Sequence, residues 1–215
     1  MSAATDFQPP APDCSRCPRL VGYRENNRAA NPAWFNGAVP SFGSLDARLL
    51  VVGLAPGVRG ANRTGRPFTG DFAGVLLYRT LIKYGFADGV YGADPADGVV
   101  LRDCRVTNAV RCVPPANLPT PAEVTGCNPF LAQELAAMPR LRVVLALGGV
   151  SHKAVLRARS LQAGRTGFAH GAVHALPDGL LLADSYHVSR LNTNTGRLTT
   201  AMFEAVVEDI LARIG

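Results

Sequence analysis

Residues Gly53 to Asp71, reading GLAPGVRGANRTGRPFTGD, gather in one stretch the groups that nucleotide chemistry needs. Arg59, Asn62, Arg63 and Arg66 are donors that can meet anions, Phe68 is a ring that can stack on a planar ligand, and Asp71 is a carboxylate. Glycines 53, 57, 60, 65 and 70 leave backbone amides accessible between them. The turn Gly53-Leu54-Ala55-Pro56-Gly57 follows the apolar run Leu49–Val52, which predicts that it sits at the carboxyl end of a strand, where open α/β sheets bind ligands. The plainer reading is a glycine-rich strand-to-helix connection with exposed arginines, Asp71 serving as the N-cap of the next helix.

Four cysteines form a second reactive set. Cys14 and Cys17 stand in a Cys-x-x-Cys spacing in a Pro-rich leader, and Cys112 and Cys127 occupy loop or helix-start settings further on. A thioredoxin-like redox pair would follow a strand and open a helix, which this pair does not, so the spacing points to metal. Zinc and a [4Fe–4S] cluster both accept four thiolates, and the sequence leaves the metal open. The fifth, Cys104, heads a predicted strand and reads as a small buried residue.

The elements that must position these groups alternate between strand and helix. A short helical pattern covers Arg19–Asn27, and Trp34 is expected to anchor the leader (residues 1–45). Strands are expected at Leu49–Val52, Cys104–Val110, Val143–Leu147 and Leu180–Ala183, with a short edge strand at Ala172–Leu176. Helices are expected at Phe72–Tyr84, Phe130–Met138, Ser151–Arg159 and Leu198–Ile214, a capping box at Thr120–Glu123, and a loop from Val188 to Gly196. Asn108 falls inside an apolar run, either as a hydrogen-bonded core amide or as a ligand-reading group at a strand end.

The chain has 215 residues, 47% hydrophobic and 18% charged, with no apolar run near membrane-spanning length, which predicts one globular α/β domain over residues 1–215. Its polar, Pro-rich start lacks the marks of a signal peptide, so the expected location is the cytoplasm, where cysteines stay reduced. The net charge of +6 is carried almost wholly by arginine, only Lys83 and Lys153 being lysines, which suits phosphate but also an ordinary solvated face.

Three segments in order carry a resemblance: Gly53–Gly57 with Arg66–Asp71, then Asn108-Ala109-Val110-Arg111-Cys112, then His187-Val188-Ser189-Arg190-Leu191-Asn192 with Asn194-Thr195-Gly196. Together with the four cysteines, they resemble the family-5, or B-type, iron–sulfur uracil-DNA glycosylases. The resemblance spans Cys14 to Leu198. It implies a three-layer α/β/α sandwich around a four-stranded, mainly parallel sheet, with a structural [4Fe–4S] cluster on Cys14, Cys17, Cys112 and Cys127. It implies a base-excision DNA repair enzyme, a monomer near the nucleoid, that flips uracil, and other deaminated bases such as hypoxanthine and xanthine, out of double-stranded or single-stranded DNA and hydrolyses the N-glycosidic bond.

By position, Gly53, Ala55, Pro56 and Gly57 would line the base pocket, Phe68 would stack on the base, Asn108 would bond its Watson–Crick edge, and His187 would donate to uracil O2. Leu191 would wedge into the vacated stack, with Arg59, Arg63, Ser189, Arg190 and Asn192 on the DNA. Leu54 and Ala55 are apolar where related families carry acid or amide groups, a departure typical of the B type that leaves Asp71 as the nearest acid to orient water or balance a positive sugar. Val188 stands where a proline often follows this histidine. The rival classes are an iron–sulfur nucleic-acid-binding module without catalysis and a nucleotide hydrolase.

Overall fold

In the computed structural model, residues 7–162 and 166–215 are described. Apolar β-branched and leucine runs make the strands: β1 (Leu49–Gly53), β4 (Cys104–Asn108) and β5 (Val143–Leu147) are buried along their whole length, as strands covered on both faces must be. With β7 (Leu181–Ser185) and β6 (Val173–Ala175) they form one sheet in the order β4-β1-β5-β7-β6. The first four run parallel, and β6 pairs antiparallel with β7, so the predicted edge strand adds a fifth member to the four-stranded core. A two-stranded ribbon, β2 (Ala87–Asp88) with β3 (Val100–Leu101), lies apart from it.

Strand alternation builds three layers. Leu49 and Val51 face a core completed by α3 (Phe72–Lys83) and α7 (Thr200–Ile214), through Leu77, Leu81, Phe203 and Val207. Leu50 and Val52 face the other way, toward α4 (Pro121–Ala136) and α5 (Gly149–Ala158), through Leu131, Leu135, Val155 and Leu156. Helix α1 (Pro18–Ala30) docks on α4 where Arg19 donates to Glu123 at 2.7 Å from both Nε and Nη2, and α2 (Ala61–Thr64) is one turn inside the Gly53–Asp71 loop. No helix among the described residues is long and apolar enough to cross a membrane.

Three expectations need correction. The helix predicted from Phe130 begins at Pro121, because Thr120 and Glu123 close a reciprocal capping box, and Cys127 therefore lies inside α4. The strand predicted to reach Val110 ends at Asn108, with single backbone bonds carrying the contact on to Val110. Within the predicted 188–196 loop, Arg190–Asn194 coil into the short helix α6, capped by Ser189.

Candidate active site and cysteine pocket

The ends of three strands meet. β1 ends at Gly53 opposite Asn108 of β4, and the pairing continues past both ends as Ala109 N donates to Gly53 O (2.8 Å) and Val110 N to Leu54 O (3.0 Å). His187 leaves the end of β7 two positions on. Ala55, Pro56, Gly57, Ala61, Phe68, Asp71, Ala73, Asn108 and His187 line one pocket there. Gly53 permits it: a methyl group on Gly53 would come within 2.4 Å of both Asn108 Oδ1 and Phe68 Cζ.

Phe68 is held by force of its neighbours. Its φ of +53° is rare for a bulky residue, and two tyrosines fix it: Tyr91 Oη donates to Phe68 O at 2.9 Å and Tyr78 Oη to Pro67 O at 2.7 Å, their rings stacked 4.8 Å apart. A methyl group on Gly74 would lie 1.8 Å from that Phe68 carbonyl, so the first turn of α3 has to be bare at this point. The ring ends 6.1 Å, centroid to centroid, from the His187 imidazole.

The polar groups of the pocket are poised for a ligand. Burial pushes the His187 imidazolium pKa down to about 4, so the ring is neutral near pH 7 and offers one N–H. Asn108 is 3% exposed, and among the described residues its amide makes no hydrogen bond to protein, which leaves it facing the pocket. Asp71 caps α3 through a long 3.4 Å contact from Gly74 N, and its other oxygen packs on Gly57 and Gly60, where a methyl group would come within 2.9 and 2.2 Å. Burial raises its pKa, an effect that the backbone donors Gly74 and Ala73 only partly offset. Cap and pocket wall are thus the same residue.

That raised pKa gives a sign. The folded state disfavours ionised Asp71, so its penalty is absent below the unfolded value near 3.8 and grows as pH rises through the folded pKa. Asp71→Asn keeps a good cap and removes the penalty; the variant is expected to melt higher than the parent at pH 7, with the difference vanishing at about pH 3, while excision slows. Paired melting curves at the two pH values check this.

The loop after His187 leans on the pocket mouth. Val188 is fully buried in the core, and Asn192 Nδ2 donates to His187 O at 2.8 Å, so the segment enters on an apolar anchor. Ser189 and Asn192 thereby serve the loop itself. Leu191 is 72% exposed, and the Arg190 guanidinium lies 5.3 Å over the ring of Phe72, next to Asp71. Arg59 and Arg63 are exposed, Arg63 Nε donating to Arg59 O at 3.0 Å.

Two predicted anion donors are excluded from this surface. Arg66 is buried, forked onto Asp97 at 2.8 and 2.7 Å, and bonded to Thr69; Asn62 is fully buried and donates to Asn36 Oδ1 at 3.0 Å. Asn36, buried and at φ +47°, anchors the leader where Trp34 was expected to, its backbone N donating to Asn62 O at 2.9 Å. Sequence reasoning also missed Tyr91 and Ala73, which carry no local signal.

Cys14, Cys17, Cys112 and Cys127 line a second, apolar pocket with Leu20, Val110 and Phe130. Arg24 reaches it while 3% exposed, its Nη1 donating to Cys14 O at 3.0 Å and to Cys112 Sγ at 3.7 Å, with its Nε left without a partner. Cys104 is buried elsewhere, at the head of β4.

With this geometry in view, comparison with known sequences is decisive: the profile of the Uracil DNA glycosylase superfamily matches residues 40–211. The chain belongs to that superfamily and is a uracil-DNA glycosylase. It is similar to the type-5 uracil-DNA glycosylase of Thermus thermophilus, 46% identical over 90% of each chain, and to that of Pyrobaculum aerophilum, 42% identical over 98% of this chain and 93% of the other. A type-4 uracil-DNA glycosylase of Pyrobaculum aerophilum is 33% identical over 74% of this chain and 67% of its own. The superfamily match covers every strand of the sheet and both pocket-bearing loops.

Proposed function

We propose that this superfamily member works in base excision repair, extruding uracil, and also hypoxanthine and xanthine, from DNA and hydrolysing the N-glycosidic bond to leave an abasic site. One observation carries the reading: a neutral donor, an unpaired amide, an aromatic ring and a half-buried carboxylate converge in one pocket, with an exposed leucine on the loop that follows His187. The Phe68 ring takes the face of the base. The Asn108 amide has one acceptor and one donor, complementary to the N3–H and O4 of uracil. The His187 N–H meets O2, where negative charge collects as the base departs, and Asp71 faces the positive sugar and the water that attacks it. The walls Ala55, Ala61 and Ala73 are small and apolar and reject little, which suits several deaminated bases.

The cysteine pocket fits a [4Fe–4S] cluster with a structural role. The four cysteines share one apolar pocket, and the buried Arg24 beside Cys14 and Cys112 suits an anionic cluster with its four thiolates. Duplex and single strands are both proposed as substrates, handled by a one-domain monomer in the cytoplasm at the nucleoid.

A labelled duplex holding one uracil, hypoxanthine or xanthine, treated with alkali after incubation, is expected to break at the lesion. No break above the control for any of the three would leave an inactive binding module and sink the reading. On the DNA side, Leu191→Ala is expected to slow excision from the duplex by about tenfold and from single strands far less, since only a stack needs a wedge. Arg190→Ala is expected to weaken DNA affinity and lower the slope of log affinity against log salt by about 1, measured by titration at several salt concentrations.

A further inference from the structure

Behind β7 lies a buried polar cluster that the excision pocket does not use. Asp184, fully buried, accepts at Oδ1 from His152 Nδ1 (2.8 Å) and at Oδ2 from His174 Nε2 (3.2 Å) and Ala169 N (3.4 Å). His152, 1% exposed on α5, also places Nε2 3.0 Å from the Thr166 carbonyl. Both its ring nitrogens therefore face oxygen acceptors. A neutral imidazole has a single N–H and would leave one lone pair against oxygen, so only the doubly protonated ring satisfies the geometry.

We propose that His152 is a positioning residue for base excision: as an imidazolium bridging Asp184 and the Thr166 carbonyl, it clamps α5 and the 166–170 segment onto the end of β7 from which His187 enters the pocket. The clamp is close to that residue. Gly148 precedes α5 as its N-cap residue; its N donates to Ser185 O at 2.8 Å, and a methyl group on it would lie 3.8 Å from His187 Cβ. His152 N donates back to Gly148 O at 3.1 Å, so ring and turn belong to one unit. On the far side, Asp184 N donates to Ala172 O and Gly171 N to Asp184 O, both at 2.9 Å.

Charge around the ring sets the direction of its pH response. Asp184 on β7 favours the imidazolium; Lys153 on its own helix opposes it, His174 on β6 stacks edge-on at 5.5 Å, and His170 in the 166–172 segment is turned to Tyr186, accepting from its N at 3.2 Å. The hydrogen bonds and charge of Asp184 outweigh burial and raise the pKa above 6.5. A raised histidine contributes fully below the unfolded value and loses its contribution as pH rises through the folded one. The clamp thus fails on the alkaline side.

The inference rests on the functional reading of His187, and its test separates the two. Single-turnover uracil excision and DNA affinity are measured from about pH 6 to pH 9 on the holoenzyme and on His152→Gln, and the parent's histidine rings are titrated by NMR. The parent is expected to lose rate on the alkaline side in step with the His152 ring. His152→Gln is expected to be about tenfold slower at pH 7, with affinity unchanged and no alkaline limb. A His152 ring already neutral at pH 6.5 overturns the proposal, as does a variant that keeps the parental rate and limb. Zinc in the purified parent that disappears in His174→Ala would also overturn it, making the cluster a metal site. Should His152→Gln not fold, the ring titration still decides; should the parent excise nothing, the functional reading falls and the titration judges the clamp alone.

Discussion

His187→Ala is expected to slow single-turnover excision of uracil by about 10²–10³-fold and to leave duplex affinity within about twofold of the parent. The ring lines the pocket with Phe68, so its removal is expected to cost the chemical step and not the encounter with DNA. The departing uracil carries charge on O2 mainly in the transition state, and a fixed N–H there stabilises that state selectively. Because burial holds the imidazolium pKa near 4, the ring does not titrate across the neutral range and presents the same single N–H throughout it. A variant with the parental rate at every pH would remove His187 from the chemistry and leave Asn108 as the sole polar reader of the base.

Loss of the proposed cluster should have the largest effect on the fold. More than ninety residues separate Cys17 from Cys112, and a link between them closes that length of chain. Replacing Cys112 by Ser should lower stability by about 3–5 kcal/mol and the Tm by about 10 °C, with iron content reduced. The loss should also reach the active site, because Cys112 follows Arg111, which is bonded to Ser41 and to the fully buried Glu134 of α4, and Asn108 lies just upstream on the same segment. Burial pushes the free Cys112 thiol up to about 11, so without a metal the thiolate is not held there. Limited proteolysis should then cut in the leader before the sheet. Cys104→Ser is the control: its iron content should equal the parent's. An anaerobically purified parent that holds zinc and no iron would overturn the cluster assignment.

Local signals in the chain determined much of this protein. The run Leu49–Val52 is apolar enough to be a strand covered on both faces, and the Thr120–Glu123 box names a helix start; each depends on neighbours within a few residues. The ordered motifs of Gly53–Asp71, Asn108–Cys112 and His187–Gly196 were enough to point to the family that the superfamily match shows. Tertiary structure alone decided which polar residues reach the pocket. Arg59 and Arg66 look alike in sequence, yet Asp97, thirty-one residues on, takes Arg66 into the interior and leaves Arg59 outside. Phe68 is an aromatic in a loop until Tyr91 and Gly74 fix its carbonyl and hold it at a left-handed φ. Asn108 could have been a satisfied core amide; it lines the pocket because β1 ends opposite it at a residue with no side chain. The physical reason is common to all three. A side chain's hydrogen-bond partners come from whichever segment the sheet order brings alongside, and spacing along the chain carries no record of that neighbour.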